Sequence, residues 1–269
     1  MRETNRLATT RYGRFLYNPN DTYIGKAIEA YGEAHEAELQ LLRQLSAPGA
    51  CVFDVGANIG DHTVPLAQHV GFQGYVYAFE PQRIVFQMLC ANVALNSLVN
   101  VECVQAAVGA EPGVVLIPEI DYSVQANYGG IEVSTFEEGS QVPRVVLDDF
   151  LDARAPTLVK IDVEGMEADV LEGGRRFLAR FRPVLYVEND RVERSRALIE
   201  LVRDLGYRAY WHLAPLYNEQ NFRGNAENIF ENVVATNMLC VPREVPLTFS
   251  GSSFPEAVDP GKHPFGLWP

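Results

Sequence analysis

The feature that most constrains the fold is an apolar run that ends in a tight turn. Residues 51 to 60 read Cys-Val-Phe-Asp-Val-Gly-Ala-Asn-Ile-Gly. The apolar half predicts a buried strand, and Gly56 and Gly60 predict a sharp turn into a helix. Doubly wound α/β domains open a small-molecule pocket at this place, the carboxyl edge of the first strand. The segment therefore predicts such a domain, with a ligand site beside the turn.

A second strand edge follows in the next apolar run. Residues 74 to 79 read Gly-Tyr-Val-Tyr-Ala-Phe and are followed by Glu80 and Pro81. A carboxylate at that edge can accept hydrogen bonds from both hydroxyls of a ribose. Two such edges in tandem predict a ligand that contains a nucleoside.

The turn itself distinguishes between nucleoside cofactors. A pyrophosphate-binding loop has three glycines in the pattern G-x-G-x-x-G, whereas the turn from Gly56 to Gly60 has only the outer two of a shorter pattern. Asp54, just before the turn, would repel phosphates but attract the ammonium or sulfonium group of S-adenosylmethionine. These residues favour S-adenosylmethionine, with NAD as the alternative.

Later segments add a resemblance to a known family. Blocks of residues occur in order along about residues 50 to 190, namely 53–60 with Thr63, 79–81, Asn92 with Asn96, 106–109, 147–149 and 160–165. Together they resemble the FkbM-type S-adenosylmethionine-dependent methyltransferases. The last block, Lys-Ile-Asp-Val-Glu-Gly, is the most diagnostic. The resemblance implies S-adenosylmethionine as the cofactor.

The resemblance also implies a fold and a set of cofactor-binding residues. The class I methyltransferase fold is α/β, doubly wound and Rossmann-like, with a mostly parallel seven-stranded sheet whose last strand is antiparallel. The cofactor-binding residues that it implies are Asp54, Gly56, Ala57, Asn58, Gly60, Thr63, Glu80, Pro81, Ala107 and Asp162. Met166 stands where many relatives carry His, so no role is carried over to that position.

The alternation of apolar runs predicts the elements of this sheet. Strands are predicted at 51–55, 75–79, 101–105, 157–162, 183–188, 207–212 and 232–241, and helices at 61–70, 82–96, 166–180 and 191–204. Strands that alternate with helices in this way form a parallel sheet with right-handed crossovers. The last two strands have the lengths of the antiparallel pair that completes a class I sheet.

Three regions are predicted along the chain. They are a polar N-terminal segment with a lid-like helix at 24–45 (residues 1–45), the methyltransferase domain (46–243), and an extended C-terminal tail (244–269). Within the domain, short strand-like runs at 114–117 and 131–135 predict an antiparallel insertion near 110–147.

Acidic side chains at the end of the predicted fourth strand are candidates for catalysis. Methyl transfer to an alcohol requires that the acceptor be aligned and its proton removed. Asp162 and Glu164 alternate with apolar neighbours, so both are predicted to project to one side, as is Lys160. His212, at the end of the sixth strand, is a further candidate base. The alternatives are a helix cap for either acid, a salt bridge for Lys160 and a structural role for His212.

A bound metal ion is the alternative to a side-chain base. Asp162, Glu188 and Asn189 are similar to the oxygen ligands of magnesium-dependent catechol-type methyltransferases, and hard cations favour such ligands. Those enzymes have a lysine shortly after the first acid, and residues 163–166 contain none. We therefore predict a metal-free site.

Other polar residues give further expectations. His62 begins the helix after the glycine turn and is predicted to help hold the cofactor's carboxylate at the helix N-terminus. His35, His69 and His263 are predicted to be surface residues. Residues 217–228 are rich in amides and aromatic rings, which predicts either a binding loop for a sugar-like acceptor or an ordinary solvated loop.

Composition limits the partners and the compartment. The formal net charge of -13, with no run rich in Lys or Arg, argues against nucleic acid as a substrate. The four cysteines are scattered, which indicates a reducing compartment. No stretch approaches the ~18 apolar residues of a membrane span, so a cytoplasmic protein without membrane contact is predicted. A homo-oligomer is compatible with all of these features.

The sequence as a whole predicts an S-adenosylmethionine-dependent O-methyltransferase. By resemblance, its acceptor is a hydroxylated small molecule, such as a sugar or a glycosylated or polyketide-like natural product. One alternative is an NAD-dependent oxidoreductase, which the missing middle glycine and the lack of a Tyr-x-x-x-Lys pair disfavour. The other is a non-catalytic cofactor-binding partner protein, against which the intact Asp162 and Glu164 argue.

Overall fold

The computed structural model describes residues 4–131, 136–246 and 254–264. The strands in these ranges are β1 (Arg6–Thr10), β2 (Gly13–Tyr17), β3 (Cys51–Val55), β4 (Tyr75–Phe79), β5 (Val101–Val104), β6 (Ala107–Val108), β7 (Gly113–Ile117), β8 (Ser140–Val145), β9 (Leu158–Ile161), β10 (Val184–Glu188), β11 (Tyr207–Pro215) and β12 (Val234–Pro242). The α-helices are α1 (Ile24–Tyr31), α2 (Glu36–Leu45), α3 (Thr63–Val70), α4 (Arg83–Leu95), α5 (Glu167–Glu172), α6 (Arg175–Phe181) and α7 (Val192–Asp204).

A seven-stranded sheet forms the centre of the protein, in the order β11-β12-β10-β9-β3-β4-β5. β5, β4, β3, β9 and β10 run parallel to one another, and β12 lies antiparallel between β10 and β11. The predicted fold, a mostly parallel seven-stranded sheet with an antiparallel last strand, is confirmed. All five residues of β3, including Asp54, are buried, because helices cover both faces of the sheet.

The strand order places the ends of four strands together. From β3 the chain adds β4 and β5 on one side of the sheet, and later β9 and β10 on the other. Asp54 pairs in register with Ala78 on β4 and with Lys160 on β9. The carboxyl ends of these strands therefore meet at a switch in strand order, where open α/β sheets form their crevice.

The N-terminal segment is more ordered than its polar composition predicts. β1 and β2 form an antiparallel hairpin whose Phe15 and Tyr17 are buried. The side chain of Asn92 on α4 accepts a hydrogen bond from the Leu16 N–H at 2.6 Å and donates one to the Leu16 carbonyl at 3.0 Å. Asn96 makes the same pair of contacts with Arg14. These two side-chain amides bond to the backbone N–H and carbonyl groups of β2 and so hold the hairpin against α4.

Two predicted helices are each divided in the structure. The predicted helix over 24–45 is α1 followed by α2, because Gly32 ends α1 in the left-handed region at φ 67°. The predicted helix over 166–180 is α5 followed by α6, separated by Gly173 and Gly174. At both places glycine supplies the break.

The segment between β5 and β9 forms a separate three-stranded sheet in the order β6-β8-β7. β7 and β8 are antiparallel, and β6 pairs with β8 in parallel. Of the strand-like run predicted at 131–135, residues 132–135 lie outside the described residues.

The described part of the C-terminal tail packs along the edge strand β11. The Trp211 N–H donates to the Pro255 carbonyl, and the Ala257 N–H donates to the Ala209 carbonyl, both at 2.9 Å. Ala257 and His263 are buried. The tail thus covers part of the edge of the central sheet. Among the helices of the described residues, none is long and apolar enough to cross a membrane.

Candidate active site

A cavity of about 420 Å³ opens at the carboxyl ends of β3, β4, β9 and β10. One side is formed by the turn after β3 and the start of β6, and the opposite side by residues that follow β9 and β10. Of the residues predicted to bind the cofactor or to act in catalysis, those that line the cavity are Gly56, Asn58, His62, Glu80, Pro81, Ala107, Asp162 and Glu164.

Gly56 allows the turn after β3 to lie directly against the end of β9. Its φ is 81°, and a Cβ atom there would lie 1.7 Å from the carbonyl oxygen of Asp162. The N–H groups of Gly56 and Ala57 both donate to the carbonyl of Phe79 at the end of β4. No residue other than glycine fits between these neighbours, so the turn is fixed against two strand ends.

Glu80 is held at the end of β4 with both carboxylate oxygens in place. One oxygen accepts the Asn58 N–H at 3.0 Å and the other accepts the Gln82 N–H at 2.8 Å. Burial raises the pKa of Glu80 to about 7, although these backbone donors act in the opposite direction. A carboxylate has about four acceptor positions, so two remain for the hydroxyls of a ribose. The geometry fits the predicted nucleoside.

Asp54 lies beneath the turn rather than in the cavity. It is fully buried, and one oxygen accepts a hydrogen bond from the Thr63 hydroxyl at 2.6 Å. The other oxygen lies 3.3 Å from the Lys160 ammonium. Its charge is therefore matched inside the protein, not by a ligand's cationic group as the sequence analysis expected. Asp54, Thr63, Ala57 and Gly60 shape the turn from below and do not line the cavity.

Lys160 connects the buried Asp54 with the partly exposed Asp162. Its ammonium lies 2.8 Å from the Gly56 carbonyl oxygen and 3.4 Å from a carboxylate oxygen of Asp162. Burial alone would lower the pKa of Lys160, but Asp54 and Asp162 outweigh this and raise it. The predicted salt bridge is present, and it keeps a permanent positive charge under the cavity.

Three carboxylates converge at the end of β9 and β10. Asp162, Glu164 and Glu188 each have an oxygen within 4.8 Å of the others. Arg191 donates to Glu164 at 2.8 Å, whereas the buried Oε2 of Glu188 has no hydrogen-bond partner among the described residues. Burial and the charge of Asp162 raise the pKa of Glu164 to about 8 and that of Glu188 well above its ordinary value. We call these three residues the carboxylate cluster.

Asp162 and Glu164 were considered as possible caps of the following helix, but Glu167 makes the hydrogen bonds in the turn before that helix. Glu167 accepts hydrogen bonds from the N–H groups of Val163 and Gly165, at 3.3 and 2.9 Å, in the turn that precedes α5. This leaves Asp162 and Glu164 on the cavity side of the turn.

His212 lies outside the cavity lining. Its Nδ1 is 2.7 Å from the Tyr186 hydroxyl, and its ring packs against Phe254 of the tail. Burial lowers the pKa of His212. These contacts favour a structural role for His212 over the role of a catalytic base. Asn189 is also turned away, because its side-chain amide contacts the Met238 sulfur at 3.2 Å.

The loop at 217–228 satisfies its own polar groups. Asn221 donates to the Asn218 and Asn225 carbonyls, and Asn218 donates to Glu33 at 2.7 Å. Tyr217 packs on Tyr31 of α1. The amides predicted to bind a sugar are thus used to fold the loop against the N-terminal helices.

A second polar wall of the cavity is formed by His35 and Asp61, which sequence reasoning missed, and by His62, which was predicted to help hold the cofactor's carboxylate. His35, predicted at the surface, lines the cavity next to Asp61 and His62. His35 Nδ1 lies 2.6 Å from Asp61, and His62 Nδ1 lies 3.2 Å from the same oxygen. His263, also predicted at the surface, is buried against Trp211. We call His35, Asp61 and His62 the histidine wall.

The order of the strands and the antiparallel β12 are those of the class I methyltransferase fold. The model of the family "Methyltransferase FkbM domain" matches residues 54–209, more than half of the chain. The protein therefore belongs to the FkbM methyltransferase family. This finding confirms the resemblance and the cofactor, and it does not support the oxidoreductase alternative.

Solved structures show similar folds at low identity. The FkbM methyltransferase from Methylobacillus flagellatus KT is 17% identical with a TM-score of 0.45; the match covers 72% of this chain and 44% of that chain. The precorrin-6y C5,15-methyltransferase from Geobacter metallireducens GS-15 is 13% identical with a TM-score of 0.48, and the match covers 81% of this chain and 95% of that chain. M. jannaschii TYW2 in complex with AdoMet is 16% identical with a TM-score of 0.47, and the match covers 90% of this chain and 86% of that chain. No curated protein matches this chain.

Proposed function

We propose that this methyltransferase transfers the methyl group to a hydroxyl of a small-molecule acceptor with sugar-like character. The observation that carries the proposal is the carboxylate cluster, which lies in the same cavity as Glu80 and the glycine turn. An alcohol acceptor needs a group that accepts its proton, and Asp162 is placed to do so.

The cofactor fits the part of the cavity next to β4. Glu80 would accept the ribose hydroxyls, and Ala106, Ala107 and Val108 line that side with apolar surface suited to a flat base. S-adenosylmethionine supplies an electrophilic methyl group on a sulfonium when bound. The remaining task of the protein is to place the acceptor hydroxyl in line and to remove water.

The carboxylate cluster supports a division of roles. Asp162, next to the Lys160 ammonium, accepts the hydrogen bond and then the proton of the reacting hydroxyl. Burial and the charge of Asp162 raise the pKa values of Glu164 and Glu188, so these two side chains take up a proton more readily than ordinary carboxylates, and in the protonated form they donate hydrogen bonds to neighbouring oxygens. A molecule with several oxygens, such as a sugar, matches such a set.

The other side of the acceptor end is apolar. Tyr23, Ile24, Leu216, Val233 and Ala235 line the cavity there. An acceptor with one hydroxylated and one apolar face, as in a sugar ring or a glycosylated polyketide, satisfies both sides. The four free cysteines fit the cytoplasm as the compartment of this reaction.

The proposal is tested with S-adenosylmethionine that carries a deuterated methyl group. Extracts of small molecules are incubated with the wild-type protein and with Asp162→Asn, and mass spectrometry identifies compounds that gain the labelled methyl. We expect labelled hydroxyl compounds with the wild type and strongly reduced labelling with the variant. Labelling only of amines would contradict the proposal.

A further inference from the structure

Asn189 lies where the chain leaves β10 and enters the wall of the cavity. Its two neighbours, Glu188 and Asp190, both line the cavity. Asn189 itself is 3% exposed, and its N–H donates to the Thr236 carbonyl on β12 at 2.8 Å. Its side-chain amide contacts the Met238 sulfur on the same strand. Two of the polar groups of Asn189 are therefore fixed by β12.

The carbonyl of Asn189 is held from the C-terminal tail. His263 Nε2 lies 2.8 Å from the Asn189 carbonyl oxygen. A carbonyl oxygen only accepts hydrogen bonds, so Nε2 carries a proton and donates it. Both residues are buried, and a buried backbone carbonyl without a donor is unfavourable. His263 therefore supplies the end of β10 with a donor from the tail.

His263 is in turn fixed by the edge strand β11 and by α7. Its ring meets the Trp211 ring edge-on, with the centroids 5.2 Å apart and the planes at 76°. The Trp211 N–H donates to the Pro255 carbonyl at 2.9 Å, and Arg203 donates to the Val258 carbonyl at 2.7 Å. The tail is thus attached to the sheet shortly before it reaches Asn189.

The segment at 188–191 supports two of the three acids of the carboxylate cluster. Glu188 is a member of the cluster, and Arg191 donates to Glu164 at 2.8 Å. A shift of this segment would move Glu188 directly and Glu164 through Arg191. The position of both acids therefore depends on how firmly the end of β10 is held.

We propose that His263 is a positioning residue for the acceptor. By donating to the Asn189 carbonyl, it fixes the segment at 188–191 and so the places of Glu188 and Glu164 in the cavity. His263 acts through the backbone and does not touch the reacting atoms. The inference rests on the proposed function in one respect, namely that the carboxylate cluster binds the acceptor.

The competing role of His263 is packing alone. The tail covers part of the edge of β11, and a buried ring against Trp211 stabilises such a cover whether or not it donates a hydrogen bond. Two substitutions separate these roles. His263→Phe keeps a ring and removes the donor, whereas His263→Gln removes the ring and keeps an N–H donor.

A titration of Glu188 in the protein without acceptor tests the inference. Burial and the charge of Asp162 raise the pKa of Glu188 well above its ordinary value of 4.5. In His263→Phe we expect this pKa to move toward 4.5, because a loosened segment admits water, and in His263→Gln we expect it to stay close to wild type. ¹³C NMR of the glutamate carboxyl groups measures it, and Glu188→Gln identifies the signal. His69→Phe, which removes a ring bonded to the Ser46 carbonyl on α3, is the control.

Kinetics with an acceptor found by labelling give a second measurement. For His263→Phe we expect the KM of the acceptor to rise about 10-fold, while the affinity for S-adenosylhomocysteine, measured by calorimetry, stays within about twofold of wild type. His263→Gln should restore most of the loss. The cofactor side is spared because Glu80 and the glycine turn belong to other strands.

The packing role gives different results in the same experiments. An unchanged titration of Glu188 in His263→Phe, or equal shifts in the Phe and Gln variants, would overturn the inference. Equal losses of affinity for acceptor and S-adenosylhomocysteine would do the same. If His263→Phe does not fold, His263→Ala takes its place in the comparison with His263→Gln. The titration uses no acceptor, so a methyl group found on nitrogen would contradict the proposed function and leave the hydrogen bond's effect on Glu188 standing.

Discussion

The ammonium group of Lys160 donates a hydrogen bond to the carbonyl oxygen of Gly56 at 2.8 Å. This contact joins the end of β9 to the glycine turn after β3, so the acceptor side and the cofactor side of the cavity are held by one side chain. The same ammonium faces Asp54 below and Asp162 above. The position of the turn and the charge of the site are therefore coupled.

Replacing Lys160 by Met should destabilise the protein strongly. The change leaves Asp54 buried without its cation, a loss of about 3–5 kcal/mol in comparable buried pairs. Chemical denaturation measures the free energy of unfolding. The double variant Asp54→Asn with Lys160→Met should recover part of the loss, and Lys262→Met, at an exposed lysine, should change it by no more than about 0.5 kcal/mol. Equal stability of the Lys160 and Lys262 variants would contradict the role of Lys160.

Gly56→Ala should disrupt the cavity far more than Gly49→Ala. Both glycines have positive φ, at 81° and 85°, so both substitutions strain the backbone similarly. Only at Gly56 does the new Cβ collide with a backbone oxygen, whereas nothing lies within 4 Å at Gly49. We expect at least about 10-fold weaker binding of S-adenosylhomocysteine in the first variant, and binding close to wild type in the second. Similar binding by the two variants would show that the close approach is unimportant.

The free protein should become less stable as pH rises from about 5 to 8. The pKa values of Glu80 and Glu167 are raised to about 7 and that of Glu164 to about 8, above the ordinary value of 4.5. The folded state therefore binds more protons than the unfolded state in this window, and stability falls as the protons leave. Thermal unfolding across this range measures the slope, and Glu164→Gln should flatten it at the upper end. A stability that rises with pH would contradict these shifts.

Activity should persist after exhaustive treatment with EDTA and desalting. Lys160 and Arg191 already neutralise part of the carboxylate cluster, and Asn189 is turned away from it toward Met238. Of the alternative magnesium ligands, Asp162 and Glu188 lie together but Asn189 does not join them, which agrees with the prediction of a metal-free site. The rate of methyl transfer before and after treatment provides the measurement. A loss that added Mg²⁺ restores would assign the carboxylate cluster to a metal ion.

The strands around the cavity could be predicted closely from the sequence. The predicted strands at 51–55 and 75–79 have the bounds of β3 and β4, because strands covered on both faces form nearly continuous apolar runs in the sequence. The acids of the carboxylate cluster could also be predicted, since they lie at or shortly after the carboxyl ends of β9 and β10. Glu80 was recognised for the same reason.

The N-terminal contributions to the site could not be predicted in the same way. The apolar spacing over 24–45 continues across the break between α1 and α2, so it concealed the turn that carries His35. Gly32 was the one signal for this break. The hairpin of β1 and β2 depends on Asn92 and Asn96 of α4, which are distant in sequence. Contacts of this kind leave no local pattern.

The most direct test is to find which atom of the acceptor receives the methyl group, and whether Asp162 is needed. The acceptor identified by labelling is treated with ¹³C-methyl S-adenosylmethionine, and NMR determines the atom bonded to the new carbon. We predict a methyl group on oxygen, a turnover about 100-fold or more lower in Asp162→Asn with cofactor binding nearly unchanged, and near wild-type turnover in His212→Gln. A methyl group on nitrogen or carbon, or normal turnover in Asp162→Asn, would contradict this prediction.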